Sequence, residues 1–323
     1  MKRVMIVGAA AALVLAGCAA DPPQVESTPT AAARAALDET MASAIVDETF
    51  AALSTADRAG DASLLAPRVG GDAALVRSAE YKVAAAVADE APQMLPSSMQ
   101  RVYVSNATTW PRVLAAVSAA PEDNLTPVIY VWVQDDVTAP YQLRGWAHMI
   151  PGATVPAMPG DVDGATQLPL GESGVDPSPR AALEGYVDFL RQGPGSENAE
   201  SFAPDTYAQQ LFTARESLSA AASQAGGAYV DTVQPDLANT FVLSTGDGGA
   251  LVIAPLLINS SFSVSGATLT LSAHDAPLLD GSLSTKVTYT YRDLVVLSVP
   301  APGKGQLPGV VAAEHHLVSV KPE

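Results

Sequence analysis

Residues 240–264 have the sequence TFVLSTGDGGALVIAPLLINSSFSV, which predicts two strands joined by a tight turn. Thr240–Ser244 and Ala250–Val264 are rich in β-branched and aliphatic residues, and Gly246-Asp247-Gly248-Gly249 lies between them. Two such runs around a short glycine-containing turn are typical of a β-hairpin. Because a hairpin joins neighbouring strands that run in opposite directions, the stretch predicts an antiparallel sheet.

The sequence around this hairpin predicts more strands after it and helices before it. The strands are predicted at Ala267–Ala273, Leu283–Val299 and Val310–Val320. Arg180-Ala181-Ala182-Leu183 begins a helical stretch, Ala203-Pro204 interrupts it, and Thr206–Ala225 is a second helical stretch. Helices followed by antiparallel strands predict an α+β arrangement with the helices packed on one sheet face.

The first half of the chain has the same order of elements. Arg34-Ala35-Ala36-Leu37 is identical to residues 180–183 and lies in a helical stretch, Ala31–Leu53. Ala66-Pro67 then precedes a second predicted helix, Asp72–Val87, with Asp72 as its N-cap. Strands are predicted at Arg101–Val104, Thr126–Val133 and Tyr141–Ile150.

The repeated order predicts an internal duplication. Residues 31–150 and 180–323 are the two predicted α+β domains, each with N-terminal helices packed on a curved antiparallel sheet. Residues 151–179 are dense in Pro, Gly and Asp and are the predicted linker.

This order of elements resembles the cone-shaped fold of nuclear transport factor two, ketosteroid isomerase and related cystatin-like domains. The resemblance is best over residues 180–320 and rests on the order of elements, without a shared residue motif. Proteins of this fold include enzymes, binding modules and scaffolds, so the resemblance implies a fold and leaves the function open.

The N-terminus has the features of a bacterial lipoprotein signal. Residues 1–17 carry Lys2 and Arg3 and then an uncharged apolar run, Val4–Leu15, which is shorter than the roughly 20 residues of a membrane-spanning helix. Leu15-Ala16-Gly17-Cys18 resembles a lipobox. The resemblance implies cleavage before Cys18 and a diacylglyceryl group on its sulfur. The alternative is an ordinary signal cleavage site that contains a cysteine.

The lipobox also predicts a location. Two acyl chains anchor a protein stably, so the mature chain is expected on the extracytoplasmic face of the cell membrane. Residues 18–30 contain Cys18 and then Pro22, Pro23 and Pro29, which predict an extended tether. Cys18 is the only cysteine, so lipidation would leave no thiol for a disulfide, a nucleophile or a metal ligand.

The net charge and the absence of common catalytic and phosphate-binding motifs weigh against several classes of function. The formal charge of −17 becomes −19 when residues 1–17 leave, because Lys2 and Arg3 leave with them and no acid does. Such a surface repels nucleic acid. The sequence has no G-x-S-x-G, S-x-x-K, H-E-x-x-H or G-x-x-x-x-G-K motif. No cofactor is therefore predicted.

Three acidic residues have the spacing of ligands in a calcium-binding loop. Asp161, Asp163 and Glu172 match its positions 1, 3 and 12. Ala165 stands where a further ligand is expected, and Thr166 replaces the required glycine. The pattern therefore favours an acidic linker, and no metal is predicted.

Aromatic residues and histidines suggest two candidate sites. Tyr130 and Trp132 share one strand face, and Trp146 and His148 share a face of the next predicted strand. They form either a ligand pocket or the core beneath the helices.

A second set is Tyr289, Tyr291 and Asp293 on one strand face, where a hydroxyl and a carboxylate could perform acid–base chemistry. Ordinary strand composition explains it equally. Glu314 and His316 share a face of the last strand, where they could pair or bind a metal together with other residues. A surface pair is the simpler interpretation.

Three functions remain open. The first is a non-catalytic binding or scaffold module for an envelope protein or a small ligand. The second is a solute-binding lipoprotein of a transporter, although the sequence shows no β-α-β alternation. The third is an enzyme with an acid–base pocket in a cone-shaped domain. The ligand and the oligomeric state are not predicted.

Overall fold

Helices and strands follow each other in two similar rounds along the chain. A computed structural model of the protein describes residues 34–120, 126–171, 174–265 and 269–323. The first round is α1 (Glu39–Ala59), α2 (Gly71–Ala86), β1 (Met99–Val104), β2 (Arg112–Ser118), β3 (Val128–Gln134) and β4 (Gln142–His148). The second is α3 (Pro179–Gln192), α4 (Thr206–Gln224), β5 (Ala228–Pro235), β6 (Phe241–Ser244), β7 (Ala250–Ser263), β8 (Lys286–Val299) and β9 (Gly309–Pro322). The predicted α+β class is confirmed.

Both sheets are antiparallel. The first has the order β1-β2-β3-β4, and the second has the order β5-β7-β8-β9 with β6 also paired to β7. The predicted hairpin joins β6 to β7. Ser244 lies opposite Ala250, and the Thr245 N–H donates to the Gly249 carbonyl at 3.0 Å.

Side-chain caps explain where most of the helices begin. Asp38 accepts a hydrogen bond from the Met41 N–H at 2.8 Å ahead of α1, and Ser178 and Asp205 cap α3 and α4 in the same way. Helix α2 is different, because Gly70 is its N-cap and Asp72 lies in its first turn. The prediction that Asp72 caps α2 is therefore wrong.

The central strands are apolar on both faces because each sheet is covered twice. Val128, Tyr130 and Trp132 of β3 pack in one cluster with α1 and α2. The alternate residues Ile129 and Val131 pack against the second sheet.

Strand β7 shows the same division. Val252, Ala254 and Leu256 pack with α3 and α4, whereas Leu251 and Ile253 pack against the first sheet. Four layers result, in the order helices, sheet, sheet, helices.

From Ala33 to the end, the chain forms one compact unit. Within it the two sheets share a layer of apolar side chains. The division into two domains and the curved, cone-like shape of each stay predictions.

Several local expectations differ from the structure. Strands β2 and β5 lie outside every predicted strand. The predicted strand Ala267–Ala273 is wrong over residues 269–273, which are not in a strand. Helix α1 begins at Glu39 and not at Ala31. The signal segment, Leu15, Ala16, Gly17, Cys18 and the tether lie outside the described residues.

The predicted linker contacts both sheets. Ala165 forms a parallel bridge with Ser105, next to the end of β1, and Gln167 forms an antiparallel bridge with Leu243 of β6. Residues 151–171 are called the connecting segment below.

We predict that Thr49→Val lowers the free energy of unfolding by about 1–3 kcal/mol. The Thr49 hydroxyl is fully buried and accepts the only hydrogen bond found for the Trp132 Nε1–H among the described residues, at 3.0 Å. Valine has the same shape and leaves that donor unpaired. Urea denaturation measures the loss. Thr55→Val is the control, because Thr55 is exposed on the same helix. Equal values for the two variants would contradict the prediction.

Candidate functional site

A groove of about 440 Å³ lies beside β1. Helix α1 forms one wall, β1 forms the floor, and residues 158–161 of the connecting segment form the other wall. The volume lies in the range of roughly 300–1,000 Å³ that is typical of ligand sites. We call this concavity the edge groove.

The edge groove exists because β1 is the last strand of its sheet. The Ser105 N–H donates to the Val113 carbonyl of β2 at 3.0 Å. The Val104 carbonyl points away from β2 and accepts a hydrogen bond from the Ala165 N–H at 2.9 Å. Backbone groups alternate in direction along a strand, so Val102 has the same orientation as Val104. Its N–H and C=O therefore face the edge groove.

The edge groove is lined by both apolar and polar side chains, and its charged residues are mainly acidic. Val46, Val102 and Val104 are among the apolar lining residues. Glu39, Asp47 and Asp161 supply three negative charges and Arg101 supplies one positive charge. These four side chains give the lining a formal net charge of −2.

The structure places the first predicted set mainly in the core. Tyr130, Trp132 and Trp146 are almost completely buried beneath α1 and α2. Each polar atom has a partner: the Tyr130 hydroxyl donates to the Pro96 carbonyl at 2.9 Å, and the Trp146 Nε1–H donates to Gln93 Oε1 at 2.9 Å. Burial raises the pKa of Tyr130, so its phenol stays protonated.

His148 lies at the edge of this core and binds Glu314 of β9. Its Nδ1 is 2.9 Å from Glu314 Oε2, and Gln93 Nε2 donates to Glu314 Oε1 at 2.6 Å. Burial alone would raise the pKa of Glu314, but the hydrogen bonds from His148 and Gln93 and the nearby imidazoles lower it. The hydrogen bond to Glu314 raises the pKa of His148. The pair is therefore a charge-assisted contact between the two sheets.

A buried arginine extends the same polar cluster. The Arg77 guanidinium of α2 is 1% exposed and forms ion pairs with Asp57 at 3.1 Å and Glu80 at 2.6 Å. It also lies over the Trp146 ring, 5.6 Å from its centroid. Its charge is compensated inside the protein, which indicates a structural role.

The second predicted set is divided between two places. Asp293 is 2% exposed and faces α4, where the Tyr207 hydroxyl donates to its Oδ2 at 2.6 Å. The His315 Nδ1 lies 2.7 Å from the same oxygen, and the His315 ring stacks on Tyr291 at 3.9 Å. Tyr289 packs in a separate apolar cluster.

This Asp293–His315 pair could orient an imidazole for proton transfer. A carboxylate that binds Nδ1 holds the ring in the tautomer whose Nε2 is free. Burial raises the pKa of Tyr207 far above its ordinary value, so Tyr207 remains a hydrogen-bond donor to the carboxylate. The site predicted from Tyr289, Tyr291 and Asp293 stays a prediction.

Sequence reasoning missed several of these residues. The sequence patterns point to none of Gln93, Tyr207, Arg77 and His315. In β8 and β9, Asp293 lies opposite His315 and Leu294 lies opposite Glu314. Correct pairing of the last two predicted strands would have revealed the Asp293–His315 pair.

The described residues contain no group of three or more His, Cys, Asp or Glu side chains arranged to hold a metal ion. Of the three acidic residues with the spacing of a calcium loop, Asp161 and Asp163 are exposed, and Glu172 lies outside the described residues. Within those same ranges, no helix has the length and apolar character needed to span a membrane.

We predict that His148→Ala lowers the free energy of unfolding by about 1 kcal/mol near pH 6, and by less near pH 9. The His148 pKa is raised from 6.5 in the folded state, so its contribution is complete below that value and disappears as the pH rises through the folded pKa. The Glu314 pKa is lowered from 4.5, so the contribution of Glu314 disappears as the pH falls through its folded pKa.

Urea denaturation across this pH range measures the effect. His274→Ala is the control, because His274 and Glu90 form a similar pair with both side chains well exposed. We expect the control to change stability little at any pH. A His148→Ala effect that is equal at both pH values would contradict the prediction.

Comparison with known proteins assigns the chain to a family. The profile of a domain of unknown function, DUF8094, matches residues 33–318. The uncharacterized lipoprotein SCO2278 of Streptomyces coelicolor (strain A3(2)) is 25% identical over 270 residues, which cover 80% of this chain and 79% of that protein. No solved structure matches. Because the profile covers nearly all of the described chain, the protein belongs to the DUF8094 family.

Proposed function

We propose that this protein is a lipid-anchored lipoprotein on the extracytoplasmic face of the cell membrane, where it binds a partner without catalysis. The observation that carries the binding role is the edge groove, which combines apolar residues of α1 and β1, acidic side chains and a strand edge where, among the described residues, the Val102 backbone has no partner. Lipoprotein character is supported by Leu15-Ala16-Gly17-Cys18 and by the name of the Streptomyces coelicolor relative.

The internal pairing of the other polar clusters also supports binding over catalysis. Arg77 and Glu314 are occupied by partners within the protein. A catalytic group must be free to meet a substrate, whereas Arg77 is paired with Asp57 and Glu80, and Glu314 with His148 and Gln93. The edge groove presents polar side chains to solvent.

An acid–base enzyme is the second candidate, and the Asp293–His315 pair favours it. The His315 ring is about one-third exposed, and the Asp293 carboxylate behind it is completely buried. The solute-binding alternative has less support, because every pairing between the named strands is antiparallel.

We predict that Cys18→Ala releases the protein from the membrane fraction. The substitution removes the sulfur that would carry the diacylglyceryl group, and without acyl chains the anchor is lost. Fractionation with detergent phase partitioning and the mass of the N-terminal peptide measure the change. Ser27→Ala, in the predicted tether, is the control and should stay in the membrane fraction. Unchanged partitioning of Cys18→Ala would refute the lipid anchor.

We predict that a photo-reactive residue in the edge groove captures a repeatable neighbour in intact cells. Ser43→p-benzoylphenylalanine places the probe on α1 in the groove wall. Ser217→p-benzoylphenylalanine is the control, because Ser217 is an equally exposed serine on α4. Mass spectrometry of the adducts identifies what each position meets.

The binding function requires adducts from position 43 that are absent from position 217. Equal capture at both positions, or none at position 43, would contradict it. A His315→Gln strain is compared with a strain that lacks the whole gene. If the two have the same phenotype while capture from position 43 is unchanged, the acid–base enzyme becomes the better explanation.

A further inference from the structure

The chain already adds one residue to the open edge of β1. The Ala165 N–H donates to the Val104 carbonyl at 2.9 Å, and the Asn106 N–H donates to the Ala165 carbonyl at 2.9 Å. This is the bonding of a parallel strand next to β1. The edge is therefore a template that accepts an extended backbone.

The connecting segment leaves this edge after a single residue of pairing. Gly164 has φ of +69°, and a Cβ there would lie 2.8 Å from the Ala35 Cα and 2.9 Å from the Val104 carbonyl oxygen. Just before Gly164 in the chain, the segment forms a turn in which the Asp163 N–H donates to the Gly160 carbonyl. In the described residues, no backbone group pairs with Val102 on this side. The edge groove is the space left between the turn and the strand.

The shape of the edge groove fits an extended backbone. Successive side chains of an added strand would point alternately toward α1 and away from it. The α1 side offers Ala42 and Val46, which suit apolar side chains. An open strand edge with pockets for alternate side chains is the arrangement by which proteins bind peptides through strand addition.

The charge of the edge groove selects the occupant. Glu39 and Asp47 lie along the α1 wall and Asp161 lies on the opposite wall, against one arginine, Arg101. A basic segment complements this lining, and an acidic segment is repelled. The chain's own residues 19–33 contain two acids and no Lys or Arg, so their composition does not match the groove.

We propose that the edge groove binds an extended, basic segment of a partner protein, which adds to β1 as a further strand and pairs with the backbone of Val102. The proposal rests on the binding function assigned above to the same groove. It names the chemistry of the partner as alternating apolar and basic side chains on an extended backbone.

Val102→Pro tests the pairing. Proline removes the Val102 N–H, which faces the groove and not β2, and proline is tolerated at such positions on edge strands. Val102→Ala is the control, because it shortens the side chain and keeps the N–H. The probe is a fluorescein-labelled octapeptide of alternating valine and lysine, with an octapeptide of alternating valine and glutamate for comparison. Binding to the full chain in detergent is followed by fluorescence anisotropy.

We expect the lysine peptide to bind wild type about tenfold more tightly than the glutamate peptide. Val102→Pro should weaken its binding by about tenfold, since one backbone hydrogen bond is lost, and Val102→Ala should weaken it by about twofold or less. Circular dichroism and the melting temperature establish that Val102→Pro folds. If it does not fold, hydrogen exchange of the Val102 amide in wild type replaces it, and the lysine peptide should slow that exchange.

Each remaining outcome overturns the proposal. Equal binding of both peptides, or no binding of the lysine peptide to wild type, removes the basic partner. Unchanged binding to Val102→Pro, or unchanged exchange at Val102, removes strand addition. In either case a neighbour captured from position 43 would leave the binding function standing, so failure of this proposal is distinguishable from failure of the function.

Discussion

The two sheets pack face to face through a shared layer of apolar side chains, and this packing determines where helices and polar groups can lie. Residues such as Val131, Ile253 and Val296 fill this layer from both sides, while helices cover the outer face of each sheet. The central strands must then be apolar on both faces, which explains their continuous aliphatic runs. Gly145 lies against Leu294 in this layer, where a Cβ would be 3.3 Å from the leucine side chain. Small residues therefore let the sheets approach closely.

This double covering also determines where polar groups can lie. The apolar layer between the sheets has no room for them, so they lie at its margins and beneath the helices. Arg77, Glu314 and Asp293 are buried there, each with partners from other elements. Burial of such groups is costly unless they are paired, and the pairs join helices to strands and one sheet to the other. The edge of β1 lies outside this arrangement, and among the described residues the backbone of Val102 has no partner there.

The order of helices and strands was predictable because their signals are local. Asp38, Ser178 and Asp205 mark helix starts, and the glycine-rich turn before Ala250 marks the hairpin. Strand β2 was missed because Ala115 and Ala116, which suit close packing, have low strand propensity. The candidate site was missed because α1, β1 and the connecting segment meet only through tertiary contacts. The Pro and Gly content of the connecting segment also predicted a linker and gave no sign of its pairing with both sheets.

The position of Ala35 beside the edge groove has a consequence for where the protein can act. The Ala35 N–H donates to the Val162 carbonyl, so the chain enters beside the wall of the edge groove. A fully extended chain spans roughly 3.5 Å per residue, so the 16 steps from Cys18 to Arg34 reach at most about 55 Å. With a lipid on Cys18, the edge groove would stay within that distance of the bilayer surface. The effective concentration of the groove for partners anchored in the same membrane would then far exceed its effective concentration for molecules in the surrounding fluid.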